Sequence, residues 1–151
     1  MMFKRLFGFF PLLCALPAMA AIEVSDPQVR AMPPSVPNTA GYLVLTSTDK
    51  DDALVGARCE GVKTTELHTL LQQDGMMKMR PVEAIELKAG DAVALTEGGY
   101  HLMMMGLQQP LEEGKTLSCE LRFRYAAPQS VAFTVTRMGG EDEGHHHHHH
   151  H

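Results

Sequence analysis

The stretch Glu66-Leu67-His68-Thr69-Leu70-Leu71-Gln72-Gln73-Asp74-Gly75-Met76-Met77-Lys78-Met79-Arg80 sets two runs of strand length on either side of Asp74-Gly75. That dipeptide tolerates the left-handed backbone that a two-residue hairpin turn requires. If Asp74 and Gly75 form the loop, Gln73 faces Met76 and Leu70 faces Met79. His68 is then one diagonal step from Met79 on the same face of the ribbon, within reach of long side chains. If the loop is Gln73-Asp74, His68 stands directly opposite Met79. Both registers join an imidazole to a thioether, whereas a bulge or an odd-length loop would send one of them to the other face.

The same period-two pattern extends outward in both directions, and no window sustains a 3.6-residue pattern over three helical turns. Strands are predicted at 22–29, 41–48, 53–59, 63–71, 76–85, 92–95, 100–107, 116–125 and 131–137. Turn signals separate them at Met32-Pro33-Pro34, Asp49 to Asp52, Asp74-Gly75, Ala89-Gly90-Asp91, Gly98-Gly99, Glu113-Gly114 and Ala127-Pro128. Many short strands at this spacing predict an all-β domain, either a β-sandwich or a Greek-key barrel.

The ends of the chain belong to other functions. Residues 1–20 carry Lys4 and Arg5, an apolar run from Leu6 to Leu16, and the small-x-small triplet Ala18-Met19-Ala20. This is the pattern of a secretory signal peptide cleaved after Ala20, and it predicts a periplasmic protein. The run is too short to span a bilayer, so no stable membrane insertion is expected. Cys14 follows an apolar run as a lipidated cysteine does, but Leu13 stands where a small residue is needed, which disfavours lipidation. Residues 141–151 comprise an acidic stretch and a histidine expression tag, leaving 21–140 as one compact domain. Without Lys4 and Arg5, the 13 basic residues fall to eleven against 18 acidic ones, a net charge of about −7. Such a domain is a poor ligand for nucleic acid. Cys59 and Cys119 remain after processing. A disulfide is their default state in an oxidising compartment, with two buried thiols or a thiol pair near a metal as the alternatives.

Removal of the tag and the leader exposes an unusual distribution. Of nine histidines only His68 and His101 are native, and six of the eight remaining methionines fall between Met76 and Met105. Methionine is ordinarily a dispersed core filler, and Met76, Met77 and Met104 are assigned to packing. In Tyr100-His101-Leu102-Met103-Met104-Met105-Gly106, His101 and Met103 project to one side of a strand while Leu102 and Met104 face the other. Met105 shares the Met103 side as a spare donor. A hairpin offering His68 and Met79 beside a strand offering His101 and Met103 makes a four-donor set. Thioethers are soft, neutral ligands suited to copper(I). Zinc draws on Cys, His and carboxylates, and calcium on oxygen. Glu66 alternates onto the His68 face and is a candidate to orient the imidazole. Tyr100, Arg80 and Pro81 are candidates for a rim.

These residues resemble the signature of the periplasmic copper chaperones of the PCuAC type, associated with loading the CuA centre of cytochrome c oxidase. That signature is a His, ten residues, a Met, twenty-one residues, then His-x-Met. Here His68, Met79, His101 and Met103 stand at those spacings, and the flanks GMMKMRPVEAIELKAG and GGYHLMMMGLQQPLEEG are also similar to the family. The family's further Met soon after the first His is absent, its place taken by Thr69 and Leu70. The resemblance implies a cupredoxin-like Greek-key β-sandwich and an exposed copper(I) site built from those four residues. It also implies transfer of the ion to the CuA subunit or a thiol-bearing assembly factor, without catalysis. A monomer is expected.

Other classes fit less well. A blue-copper protein needs a Cys beside His and Met ligands, a thiol reductase usually carries Cys-x-x-Cys, and no Ser, Cys or Asp stands in a nucleophile setting. The runner-up is a periplasmic copper-sequestering or resistance protein, followed by a metal-independent interaction module.

Overall fold

A computed structural model describes residues 21–137. The leader with Cys14, the acidic stretch and the tag lie outside them. Ten strands follow in order: β1 (Ile22–Arg30), β2 (Asn38–Ser47), β3 (Asp52–Cys59), β4 (Val62–Gln73), β5 (Met76–Pro81), β6 (Ile85–Leu87), β7 (Ala92–Ala94), β8 (His101–Leu107), β9 (Thr116–Phe123) and β10 (Gln129–Thr136). They hydrogen-bond in the path β5-β4-β8-β2-β1-β10-β9-β3-β6, with β7 also on β2. The pairings are antiparallel except β1 against β10. Only Glu60 and Gly61 separate β3 from β4 in the chain, yet these strands stand second from opposite ends of the path. A link that short forces the path to fold back on itself, which turns one open sheet into two facing layers. One apolar cluster fills the space between, from Leu67, Leu102 and Met104 of β4 and β8 to Leu54, Ile85, Leu121 and Phe133 of the other layer.

Alternation decides which side chains enter that cluster. β9 reads exposed-buried without a break, sending Leu117, Cys119, Leu121 and Phe123 inward, and Val131, Phe133 and Val135 do the same in β10. Cys59 and Cys119 are register partners and form a disulfide, so the default assignment stands and neither thiol is available to a metal. One predicted strand is corrected. The run 76–85 is two elements, because the chain leaves the edge of β4 at Pro81 and Ile85–Leu87 joins β3 instead. Proline has no N–H with which to continue a ladder, while Ile85 and Leu87 are apolar and are buried in the core.

Candidate metal centre

The hairpin that opens the site follows the first of the two predicted registers. Gln73 pairs with Met76 and Leu70 with Met79, around Asp74 and Gly75 at φ 53° and 74°. Two successive left-handed residues are what a tight hairpin asks for, and Asp-Gly supplies them at little steric cost. His68 and Met79 therefore share a face.

Pairing of β4 with β8 supplies the second half. His68 is the register partner of His101, and Glu66 that of Met103. The neighbours Leu67, Leu102 and Met104 are 3%, 0% and 0% exposed and point into the core. Period two then places His68, His101 and Met103 on the outer face. His101 is nonetheless buried, at 2% exposure. Met79, Met103 and His101 line a cleft of about 320 Å³ together with Tyr42, Met32, Arg30 and Glu97. His68 is not among the cleft-lining residues. It lies beside His101, with ring centroids 5.8 Å apart.

The hydrogen bonds of the two imidazoles fix their chemistry. His101 Nδ1 lies 3.0 Å from the carbonyl oxygen of Gly99, which can only accept, so Nδ1 carries the hydrogen and, in the neutral ring, Nε2 holds the free lone pair. His68 Nε2 lies 2.8 Å from Oε2 of Glu66. A carboxylate oxygen also accepts, so Nε2–H donates, and in the neutral ring Nδ1 is the nitrogen with the free lone pair. His101 Nε2 and His68 Nδ1 are both buried with no hydrogen-bond partner. Buried polar atoms are nearly always satisfied, and an imidazole held through one nitrogen while the other is bare is the usual arrangement of a metal-binding histidine. The donor set fits a soft monovalent ion.

The surroundings sharpen the choice of ion. Among the described residues no group of three or more His, Cys, Asp or Glu side chains could hold a metal. The thioethers of Met79 and Met103 line the cleft with His101, and with the two imidazoles they make a set that suits copper better than zinc or calcium. Burial pushes the Tyr42 phenol up, and Glu97 adds to the effect while Arg30 opposes it. Tyr42 thus stays neutral at ordinary pH and adds no charge beside His101, whose ring centroid is 6.4 Å away. An ion pair between Arg30, at the end of β1, and Glu97, between β7 and β8, crosses the cleft wall. A larger hollow of about 670 Å³ lies near Gly61, Gln108 and Lys115, toward the other end of the β4–β8 pair, and holds no imidazole or thioether.

The sequence reading is met in part by these side chains. Glu66 does hold His68, as its alternation suggested. Pro81 ends β5, and Arg80 turns to Gln73, on the ribbon face opposite His68. Met104 is packed, but Met76 and Met77 are not: they are 60% and 58% exposed. Among the described residues nothing buries either face of β5, because it pairs beyond the reach of the core. Met32 was read only as part of a turn, and its place in the cleft had no signal in the spacing, since β1 and β5 are brought together only by the fold.

Comparison with known proteins bears on the family and the fold. The family model LpqE-like, described as "Putative lipoprotein LpqE-like", matches residues 22–135. A curated relative, "Putative lipoprotein Lxx21020" of Leifsonia xyli subsp. xyli, is 30% identical over 126 residues, covering 82% of this chain and 75% of its own. The copper(I) form of DR1885 from Deinococcus radiodurans is 32% identical with a TM-score of 0.58, covering 83% of each chain. The copper-bound PCuAC domain of PmoF2 superposes with a TM-score of 0.67 at 19% identity, over 80% of this chain and 96% of that one, and it carries the fold alone. The all-β architecture is the cupredoxin-like one of those domains.

Proposed function

The chain belongs to the LpqE-like family, and from that premise we propose that it is an exported copper chaperone. It binds one copper(I) ion through His68 Nδ1, His101 Nε2 and the thioethers of Met79 and Met103, and it passes the ion to a partner protein. The observation that carries the reading is the pair of buried imidazole nitrogens without a hydrogen-bond partner on adjacent rings, beside a cleft lined by the thioethers of Met79 and Met103. The copper(I) form of a relative at 32% identity supports the choice of ion.

The residues divide the work. Glu66 and the Gly99 carbonyl hold each ring and its tautomer, so the two lone pairs are set before the ion arrives. The four donors are neutral, so the ion and its ligands together would carry one net positive charge, with the Glu66 carboxylate beside them. Met79 is 52% exposed on an edge strand, which makes it the donor most readily exchanged. Thiolates are stronger copper(I) donors than thioethers, so a thiol-bearing acceptor draws the ion away by stepwise ligand exchange. The CuA subunit of cytochrome c oxidase or a thiol-bearing assembly factor is the acceptor that this chemistry suits.

Competition with a chromophoric copper(I) chelator on tag-cleaved protein tests the site. One equivalent in the wild type, with clear weakening in Met79→Ala and His101→Ala, is expected. Binding that is indifferent to both substitutions overturns the assignment. Lipoprotein descriptions of the family and of the Leifsonia relative support export. We place the mature protein in the periplasm with its N-terminus at Ala21. Mass spectrometry of the processed chain checks this, and a lipid-bearing Cys14 at the N-terminus would overturn it.

A further inference from the structure

Met77 has no packing role and no place in the four-donor set, yet it is not oriented at random. The ladder pairs Leu70 with Met79 and Gln72 with Met77. His68, Leu70 and Gln72 on β4 and Met77 and Met79 on β5 therefore occupy one face, by the two-residue period of both strands. Met77 is 58% exposed, one period beyond Met79 toward the hairpin tip. Met76, also exposed at 60%, pairs with Gln73 and faces the opposite side. Two strand residues two apart are separated by about 7 Å along the strand. Two unbranched thioether side chains with three rotatable bonds each can close that gap on one ion.

From this placement we infer that Met77 is a transient copper(I) ligand, an outer thioether that takes the ion first and hands it to Met79 on the way to His101. The inference rests on the copper(I) reading of the site. Each step exchanges one bond for another: a copper–sulfur bond to Met77 forms as the donor's bond to the ion breaks, then the bond to Met79 forms as that to Met77 breaks. Copper stays in the +1 state and no electron moves. Release follows the same steps in reverse. A contact made only along the route lowers the barrier in both directions and leaves the equilibrium unchanged.

The test is the rate of copper(I) exchange between the tag-cleaved full chain and a chromophoric copper(I) chelator, without oxygen, by stopped flow. The chelator offers no protein surface, so docking plays no part. Met77→Leu keeps the apolar side chain and removes the sulfur. Exchange several-fold slower in both directions, with one equivalent bound at wild-type affinity, is expected, while Met76→Leu behaves as wild type. Wild-type rates in Met77→Leu, or equal slowing by both leucine variants, overturn the inference. A loss of equilibrium affinity in Met77→Leu makes it a resident ligand and also overturns the relay. Failure of the wild type itself to bind copper(I) is a separate result, which overturns the site assignment beneath it. Matching denaturation midpoints of the variants show that each is folded.

Discussion

The β4–β5 ribbon and the β9–β10 pair are both antiparallel ladders, but they use their side chains in opposite ways. In β9 and β10 every second residue is buried, and Phe133 is 0% exposed at the centre of the shared core. In β5 all six residues are exposed, including Met76, Met77 and Met79. Burial of apolar surface is the main source of stability, and β5 receives almost none of it. The ribbon is held by its ladder and by the Asp74-Gly75 turn, which leaves its thioethers free to move and to exchange. Of the four donors only Met79 stands on β5; His68 is on β4, and Met103 and the 2% exposed His101 are on β8, strands that also send Leu67, Leu102 and Met104 into the core.

Four variants probe this division, in descending order of effect. Phe133→Ala should cost about 3–5 kcal/mol of folding stability, read as a fall in the denaturant midpoint, while the folded protein still binds copper(I). A small cost there would place the core elsewhere. Replacing both Cys59 and Cys119 by Ala should cost about 2–4 kcal/mol, because the disulfide closes a long loop of the unfolded chain. Their sequence separation is 60 residues, and copper(I) affinity should not change. If affinity fell with either scaffold change, the two regions would be coupled and the contrast would fail.

Asp52 comes third. It is 2% exposed, and its carboxylate accepts from the backbone N–H groups of Ala53, Tyr125 and Ala126. Burial alone would raise its pKa, but these donors outweigh the burial and hold it below the usual carboxylate range. A depressed folded value means that the unfolded chain binds the proton first as pH falls. The stabilisation is therefore fully present above about pH 4, the unperturbed Asp value, and is lost as pH drops through the folded value. Asp52→Ala, which leaves buried donors unpaired, should cost about 1–3 kcal/mol at neutral pH and flatten the acid limb of the stability curve. An unchanged acid limb would assign that limb to other carboxylates.

The smallest effect is expected in the ribbon. Met76→Gln should change folding stability by no more than about 0.5 kcal/mol, as for other exposed positions without special contacts. A larger loss in thermal unfolding would show that β5 contributes packing after all and would erase the difference between the two ladders.

Much of the candidate site was legible one strand at a time. The pairing of Leu70 with Met79 was one of the two registers that a two-residue loop at Asp74 allowed, and the common face of His101 and Met103 followed from their separation in a strand. Met76 and Met77 were misread as packing because hydrophobic character reveals a preference for burial and says nothing of whether a partner layer is near. Met32 was missed because its place in the cleft depends on how β1 enters the sheet.

By itself the sequence determined the all-β class, the turns, a shared face for His68 and Met79 in either hairpin register, and the spacing of four candidate donors. These are local properties, written in the two-residue period of strands and in the backbone demands of a few turn residues. Only the tertiary structure decided that β4 pairs with β8 so that His68 meets His101, that Cys59 meets Cys119, and that Ile85–Leu87 leaves β5 for β3. It also decided that an outward-facing His101 is covered, which leaves one nitrogen of each ring bare and buried. Pairings between distant strands depend on the closing of one common core, and no short window of sequence contains that information.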